Sequence, residues 1–445
     1  EIITSRTCSG PYCCRAASAK AEPLPRASSD TPEKRGALIS ALIKEQYDLV
    51  KANDKHAVCC TNLYGETMEL YKDGFLHLPE DVIKIWADNG YGKMVSRRQG
   101  NSNPRVPALP PRGDTSAHGI YYHASFYDLQ AASHITMLPN STEFVARELA
   151  DVMAHGADDY WLVNCSNVKP HAFLLDLIAR CWRDGTVDAG QQCIAYTAAY
   201  YGLLHRCEIA QCLVDYAQFA VPYGSNADDR AGDQFYNHVP RMLISQFVQD
   251  RTAPADDLRW LCEQPTLAGQ LQHCTAVFDK AVQSYAAYRR ECEKVLAELT
   301  GRPRVLFMDN ILLQAQLYDL WAQGAAFVCK ALDAGFTADW QHCFYYAGCA
   351  KRLYALAYRA MQDCEHGKWV GYYANECQTD VRQTVQVCGY LMSFARTLGE
   401  GPHYYAWMRE FGDPEDERRI MLILNTEPHP GDDDLWLLME QRWGE

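Results

Sequence analysis

The chain has 445 residues, 48% of them apolar and 22% charged, with a formal net charge of −14. Its length allows two or three domains, and its composition is that of a globular protein, not a disordered one. The acidic balance excludes general nucleic-acid binding, which needs a basic surface, and no uninterrupted apolar run is long enough to span a bilayer.

Residues 1 to 36 lack periodicity, are rich in Ser, Ala, Pro and Arg, and are expected to be an atypical or poorly ordered segment. No secretory signal pattern stands at the first residue. The spacing of Leu38, Leu42, Ile43 and Leu49 predicts a helix from Gly36 to Asn53. A series of strand-and-helix units follows. His56–Cys60 reads as a strand, Glu66–Asp73 as a helix stopped by Gly74, and Val82–Trp86 as a second strand ending in Asp88, Asn89 and two glycines. A loop rich in Pro, Gly and Arg spans Ser96–His118. Ile120–Phe126 is the third strand, Glu143–His155 a helix, Tyr160–Val163 the fourth strand and Leu174–Trp182 a helix.

Strands alternating with helices imply parallel βα units. Four strands are too few to close an eight-stranded barrel, so a partial (β/α) barrel is expected over residues 37–183, with an open sheet as the rival architecture. From 184 to 398 helical periodicity dominates, as in Ile194–Phe219, Leu267–Leu299, Leu306–Leu332 and Cys343–Gln362, and a helical bundle is expected. Pro222–Asp233 and Gly301–Pro303 carry turn signals. Residues 399–445 read as a mixed tail that includes Ile420–Leu424. The fold class is thus α/β plus α.

The 19 cysteines are odd in number and irregular in spacing, and Cys13–Cys14 and Cys59–Cys60 are adjacent. That is not zinc spacing. Buried thiols in a reducing, cytoplasmic setting are the simpler expectation.

The order Tyr64-Gly65-Glu66, Trp86-Ala87-Asp88-Asn89-Gly90-Tyr91-Gly92, Gly119-Ile120-Tyr121-Tyr122-His123, then Trp161-Leu162-Val163-Asn164 with Lys169-Pro170 resembles glycoside hydrolase family 115, the xylan α-1,2-glucuronidases. The similarity runs over roughly residues 38 to 400. It implies a (β/α)₈ barrel followed by a helical domain, of which this chain supplies the second half of the barrel and the bundle. It implies removal of glucuronic acid or its 4-O-methyl ether from xylan with inversion, and a carbohydrate substrate. Nucleic-acid and membrane partners are not expected, and a homodimer is among the assemblies considered. Two departures stand out. The second acidic position of the family pattern Trp-x-Asp-Asp-Asn-Tyr-Gly is Asn89 here, and the acids around Lys169 are replaced by Asn167 and Ala172.

Inverting hydrolysis needs an acid and a basic carboxylate about 6.5–9.5 Å apart. Asp88, directly after a strand, is the first candidate, and Glu66 is the second. His123 is expected to bond a sugar hydroxyl or hold a carboxylate. Asn89, Tyr122, Asn164 and Asn167 are candidate sugar contacts. Lys169, Arg97 and Arg98 are candidates to hold the uronate carboxylate, which arginine grips with two parallel hydrogen bonds. Each has a plain structural alternative: a loop Asp bonding its own backbone, a helix-start glutamate, a core histidine, a solvated basic loop. No nucleotide, metal or other cofactor is implied, because the sequence has no P-loop, His-Glu-x-x-His or Gly-x-Ser-x-Gly. The rival function is a catalytically silent fragment or homologue that binds acidic glycans or serves as an interaction scaffold.

Overall fold

The structure, a computed structural model, describes residues 31–97, 104–401, 406–413, 415 and 429–444. The chain divides into two units. One comprises the chain up to Ala124 together with Phe144–Cys165 and Ile178–Val187; the other comprises Ser125–Glu143, Ser166–Leu177 and everything from Asp188 onward.

The first unit is built on four parallel strands, β1 (Cys60–Leu63), β2 (Ile83–Ala87), β3 (His118–His123) and β4 (Tyr160–Asn164), in the spatial order β1-β2-β3-β4. Helix α1 (Pro32–Asn53) precedes the sheet and α2 (Glu66–Lys72) links β1 to β2. Among the described residues the link from β2 to β3 has no helix, and Pro104, Pro107, Pro110 and Pro111 disfavour one there. Helix α3 (Thr142–Ala154) lies between β3 and β4, and α4 (Val168–Asp184) follows β4.

Alternation sorts the side chains onto two faces. Leu63, Trp86, Ile120 and Tyr122 share one face and are fully buried. Ile85, Ala87, Tyr121 and His123 share the other. Gly119 of β3 pairs with Tyr160 of β4, and a Cβ there would fall on the carbonyl oxygen of Tyr160.

The expected strands are present, with shifted ends. β1 begins at Cys60, where the expected strand ended, because Asp54 to His56 turn on themselves through Asp54 Oδ1 and the His56 N–H (2.9 Å). β3 stops at His123, three residues early.

The second unit is helical. Its members are α5 (Ala189–Tyr200), α6 (Arg206–Phe219), α7 (Asp233–Gln249), α8 (Leu267–Glu298), α9 (Gly301–Phe307), α10 (Leu313–Phe336), α11 (Trp340–Asp363), α12 (Val381–Gly399), α13 (Ala406–Gly412) and α14 (Asp432–Trp443). Helix α10 packs on α7, α8 and α11, and α12 packs on α7 and α11. Tyr236, Tyr285, Tyr318, Trp321 and Tyr354 form the buried centre. The tyrosine hydroxyls need partners there, and that of Tyr318 finds Thr136 Oγ1 at 2.8 Å.

Periodicity places these helices but misses their breaks. Ile194–Phe219 is two helices, because the chain reverses through Gly202 and His205, both at positive φ. Gly301–Pro303 is a helix start instead of a turn, with proline placed where the missing N–H costs nothing. A π-helical segment, Met308–Leu312, interrupts Leu306–Leu332. Residues 1–30, Arg98 and Ile420–Leu424 lie outside the described residues.

The cysteines among the described residues are free thiols. No described helix is long and apolar enough to cross a membrane, and no group of three His, Cys, Asp or Glu among the described residues could hold a metal ion.

Candidate active site at the strand tips

The carboxyl ends of the four strands bring several polar side chains into one row within the first unit. Asp88 follows β2 directly, and its N–H donates to the Tyr121 carbonyl (3.1 Å), so the β2–β3 ladder runs one residue past the strand. The chain then turns tightly through Gly90 and Gly92, both at positive φ. That conformation is open to glycine and strained for other residues. The turn aims the Gly92 N–H at Asp88 Oδ2 (3.0 Å). The other oxygen, Oδ1, meets Nδ1 of His123 at the end of β3 in a short hydrogen bond. Asp88 is 0% and His123 1% exposed. An ionised Asp88 is acceptor-only, so His123 donates through Nδ1.

Around this pair, the Tyr121 ring lies 4.5 Å from the His123 ring, and the Tyr121 hydroxyl accepts from Asn164 Nδ2 (3.0 Å) at the tip of β4. At the tip of β1, Arg97 Nη1 donates to the Tyr64 hydroxyl (2.6 Å), and its guanidinium lies over the same ring. The loop between is pinned from behind. Glu148 of α3 accepts from Lys93 Nζ (2.6 Å) and from the Met94 N–H (3.2 Å).

The structure thus gathers Asp88, His123 and Asn164, holds Arg97 on Tyr64 at the tip of β1, and disposes of the other candidates differently. Asn89 carries the turn: its Oδ1 accepts from the Tyr91 and Lys93 N–H groups, and it is 4% exposed. Tyr122 alternates onto the opposite face, where its hydroxyl donates to the Gly92 carbonyl (3.0 Å). Burial, then the nearby Asp88 and Glu148 charges, raise its phenol well above the ordinary value. Glu66 sits in the first turn of α2, half exposed, paired with Arg35 of α1 at 2.6 Å. That is the helix-start role its position suggested.

Asn167 and Lys169 belong to the helical unit. The Lys169 ammonium is buried, donates no hydrogen bond among the described residues, and lies over the rings of Trp369, Tyr372 and Tyr373. Burial pulls it below the ordinary lysine value. A proline follows it, but the three rings that hold it are some 200 residues away, so sequence gave no sign of them.

A second polar cluster, Asp114, Ser116 and His118, has the composition of a nucleophile triad without its chemistry. Ser116 Oγ is 3.0 Å from His118 Nε2. The Trp86 indole N–H, which only donates, points at His118 Nδ1 (3.1 Å). Nδ1 is therefore the acceptor, Nε2 carries the proton, and His118 cannot accept one from Ser116. Burial keeps this imidazole below its ordinary value, consistent with a neutral ring.

The family model described as glycosyl hydrolase family 115 matches residues 23–223. Among solved structures, the chain is similar to a family 115 4-O-methyl-α-glucuronidase with specificity for decorated arabinogalactans. The identity is 14% and the TM-score 0.51, over 81% of this chain and 43% of that one. It is also similar to a family 138 enzyme targeting pectin rhamnogalacturonan II, with 10% identity and a TM-score of 0.45 over 82% of this chain and 60% of that one. No curated protein sequence matches. The chain spans less than half the length of the first of these structures, and the likeness to it is one of fold. The stretch matched by the family 115 model, residues 23–223, holds all four strands and the row of side chains at their tips.

Proposed function

We propose that this chain is a glycoside hydrolase of the α-glucuronidase type, acting on (4-O-methyl-)glucuronosyl α-1,2 side chains of xylan by direct attack of water, with inversion. Its four βα units are read as part of a (β/α) barrel. The observation that carries the proposal is the buried Asp88–His123 pair at the tips of the two central strands. Catalytic groups of parallel α/β folds stand at that end of the sheet.

In this reading, Asp88 holds the imidazole and the pair handles one of the two proton transfers of inverting hydrolysis. Both Asp88 oxygens are already engaged, so the carboxylate orients and stabilises while His123 passes the proton. Arg97 is the candidate partner of the uronate carboxylate. Asn164 and the Tyr121 hydroxyl address sugar hydroxyls.

The alternative, a silent homologue that binds acidic glycans, is favoured by one observation: Asn89 is neutral and committed to the turn, while Glu66 is held by Arg35. The deciding experiment is glucuronate release from glucuronoxylan, with decorated arabinogalactan as a second substrate. Release by the wild type, with turnover at least 100-fold lower in Asp88→Asn, is expected. Normal turnover in Asp88→Asn removes that residue from the mechanism, and glycan binding with no release by the wild type establishes the silent reading.

A further inference from the structure

Within the helical unit, one positive charge is buried without an anion beside it. Arg241 of α7 is 5% exposed. Its Nη1 donates to the carbonyl oxygens of Thr379 (3.0 Å) and Asp380 (2.8 Å) and to Thr384 Oγ1 (3.2 Å), which ties α7 to the start of α12. Among the described residues Nε and Nη2 donate no hydrogen bond, and no carboxylate pairs with the guanidinium. Asp380 and Glu376 act on it only through space. Their carboxylates accept from backbone N–H groups instead, that of Asp380 from Gln383 (3.1 Å) and that of Glu376 from Thr379 (2.8 Å). A buried charge with no paired anion is unfavourable, which argues for an anion supplied from outside.

Arg241 lines a cavity of about 440 Å³, within the range of ligand pockets, about 300–1,000 Å³. His238, Arg241, Ser245 and Val248 succeed one another at steps of three and four residues, so they share one face of α7, and Gln383, Val387 and Tyr390 do the same on α12. Leu129 completes the wall from a backbone at φ 56°, strained for a leucine, and Gln234 Oε1 holds it there by accepting from its N–H (2.8 Å). His238 is 8% exposed and makes no hydrogen bond among the described residues. The unbonded nitrogens of both His238 and Arg241 keep accessible surface, so a molecule in the cavity can reach them.

The chemistry of the walls selects the ligand. The Nε and Nη2 edge of a guanidinium matches the two oxygens of a carboxylate. Burial, and then the Arg241 charge, push the His238 imidazole down to about 4, so the ring is neutral and offers one N–H. No acidic residue lines the cavity, and nothing on its wall repels an anion. The rest of the wall is largely apolar, with Met242, Ile244 and Val387 beside Leu129, and it favours an apolar body over a hydroxylated one. None of these residues belongs to the strand-tip site.

We infer that this cavity binds a small monocarboxylate with an apolar body, its carboxylate on Nε and Nη2 of Arg241 and on the His238 ring, its body against Leu129, Met242, Ile244 and Val387. Fatty acids and aryl acids share this chemistry.

The experiment is equilibrium titration of the full chain, followed by ligand-detected NMR, with octanoate and, separately, with phenylbutyrate. The two arms distinguish an alkyl from an aryl source. Saturable binding of at least one is expected, at about millimolar or tighter for bodies of this size. The matching primary amide should bind tenfold or more weakly, and glucuronate, a carboxylate on a polar body, should not displace the acid. Ser245→Trp, which sets an indole into the cavity from a half-buried wall position, should abolish binding. Arg241→Gln should erase the preference for acid over amide. Because Arg241 also anchors α12, circular dichroism checks that this variant folds; the amide comparison and Ser245→Trp decide the matter where it does not. Absence of saturable binding of both acids overturns the inference, as does equal affinity for acid and amide, displacement by glucuronate, or wild-type binding in Ser245→Trp or in folded Arg241→Gln.

Discussion

Asp88 is buried where β2 ends, with one carboxylate oxygen on His123 and the other on the Gly92 N–H. A carboxylate after an apolar strand, followed by two glycines, signals a strand tip with a tight turn, and the structure has both. Its partner His123 was recognisable as part of another strand, expected to run on to Phe126, but neither the strand's end at His123 nor the bond between them was, because register is set by packing across the sheet. Removing the carboxylate should therefore be felt in stability as well as in turnover. Asp88→Ala leaves the His123 Nδ1–H and the Gly92 N–H without an acceptor, at about 1–3 kcal/mol for each. Asp88→Asn keeps one acceptor and should cost less. Urea denaturation of the two variants checks the order; equal stabilities would mean that the pair holds nothing together.

A second prediction at this scale concerns pH. His171 is fully buried, donates weakly to the His134 carbonyl (3.2 Å), and burial pushes its imidazole down to about 4. Between pH 6.5 and 4 the unfolded chain binds a proton at this residue that the folded chain refuses. The His171 contribution therefore makes stability fall as pH falls through that window and level off below it. His171→Gln, which keeps a donor, should flatten the decline of the denaturation midpoint over that range. An unchanged profile would show that His171 is not a source of the decline.

Elements were legible where periodicity is local and illegible where tertiary contacts decide. The four strands and most helices follow from alternation and 3.6-residue spacing, because those patterns report which faces are buried. The ends did not follow. β1 starts late because a side chain–backbone turn at Asp54 competes with the strand. The split between α5 and α6 depends on two positive-φ residues that no hydrophobic pattern reveals. Gly119 also carries an element-level consequence. Its missing side chain lets β3 and β4 pair along five residues, from Gly119 with Tyr160 to His123 with Asn164. Gly119→Ala should force those strands apart at that end and cost about 1–3 kcal/mol, as overpacking does. Hydrogen exchange of the β3 and β4 amides should report the loosening, and wild-type protection would contradict it.

For the molecule as a whole, composition was informative about chemistry and silent about geometry. The cysteine count led to an expectation of unpaired, mostly buried thiols, and the described cysteines are free. Iodoacetamide should accordingly modify Cys207 and Cys377 in the native protein and reach Cys274 and Cys388 only after unfolding. Early labelling of the latter two would mean that the helical core opens readily. Residues 375–380 read from the sequence as a polar cluster near helix ends, but the segments that pack against them did not. Asp233 finds its partners 99 residues back at His134 and 146 residues ahead at Thr379, and neither spacing is a motif.

The chain passes from one unit to the other after Ala124, Glu143, Cys165, Leu177 and Val187. No uninterrupted stretch of coding sequence therefore specifies either one. No cut at a single point isolates either unit whole, so the strand tips and the helices are expected to have been inherited, and to have diverged, together.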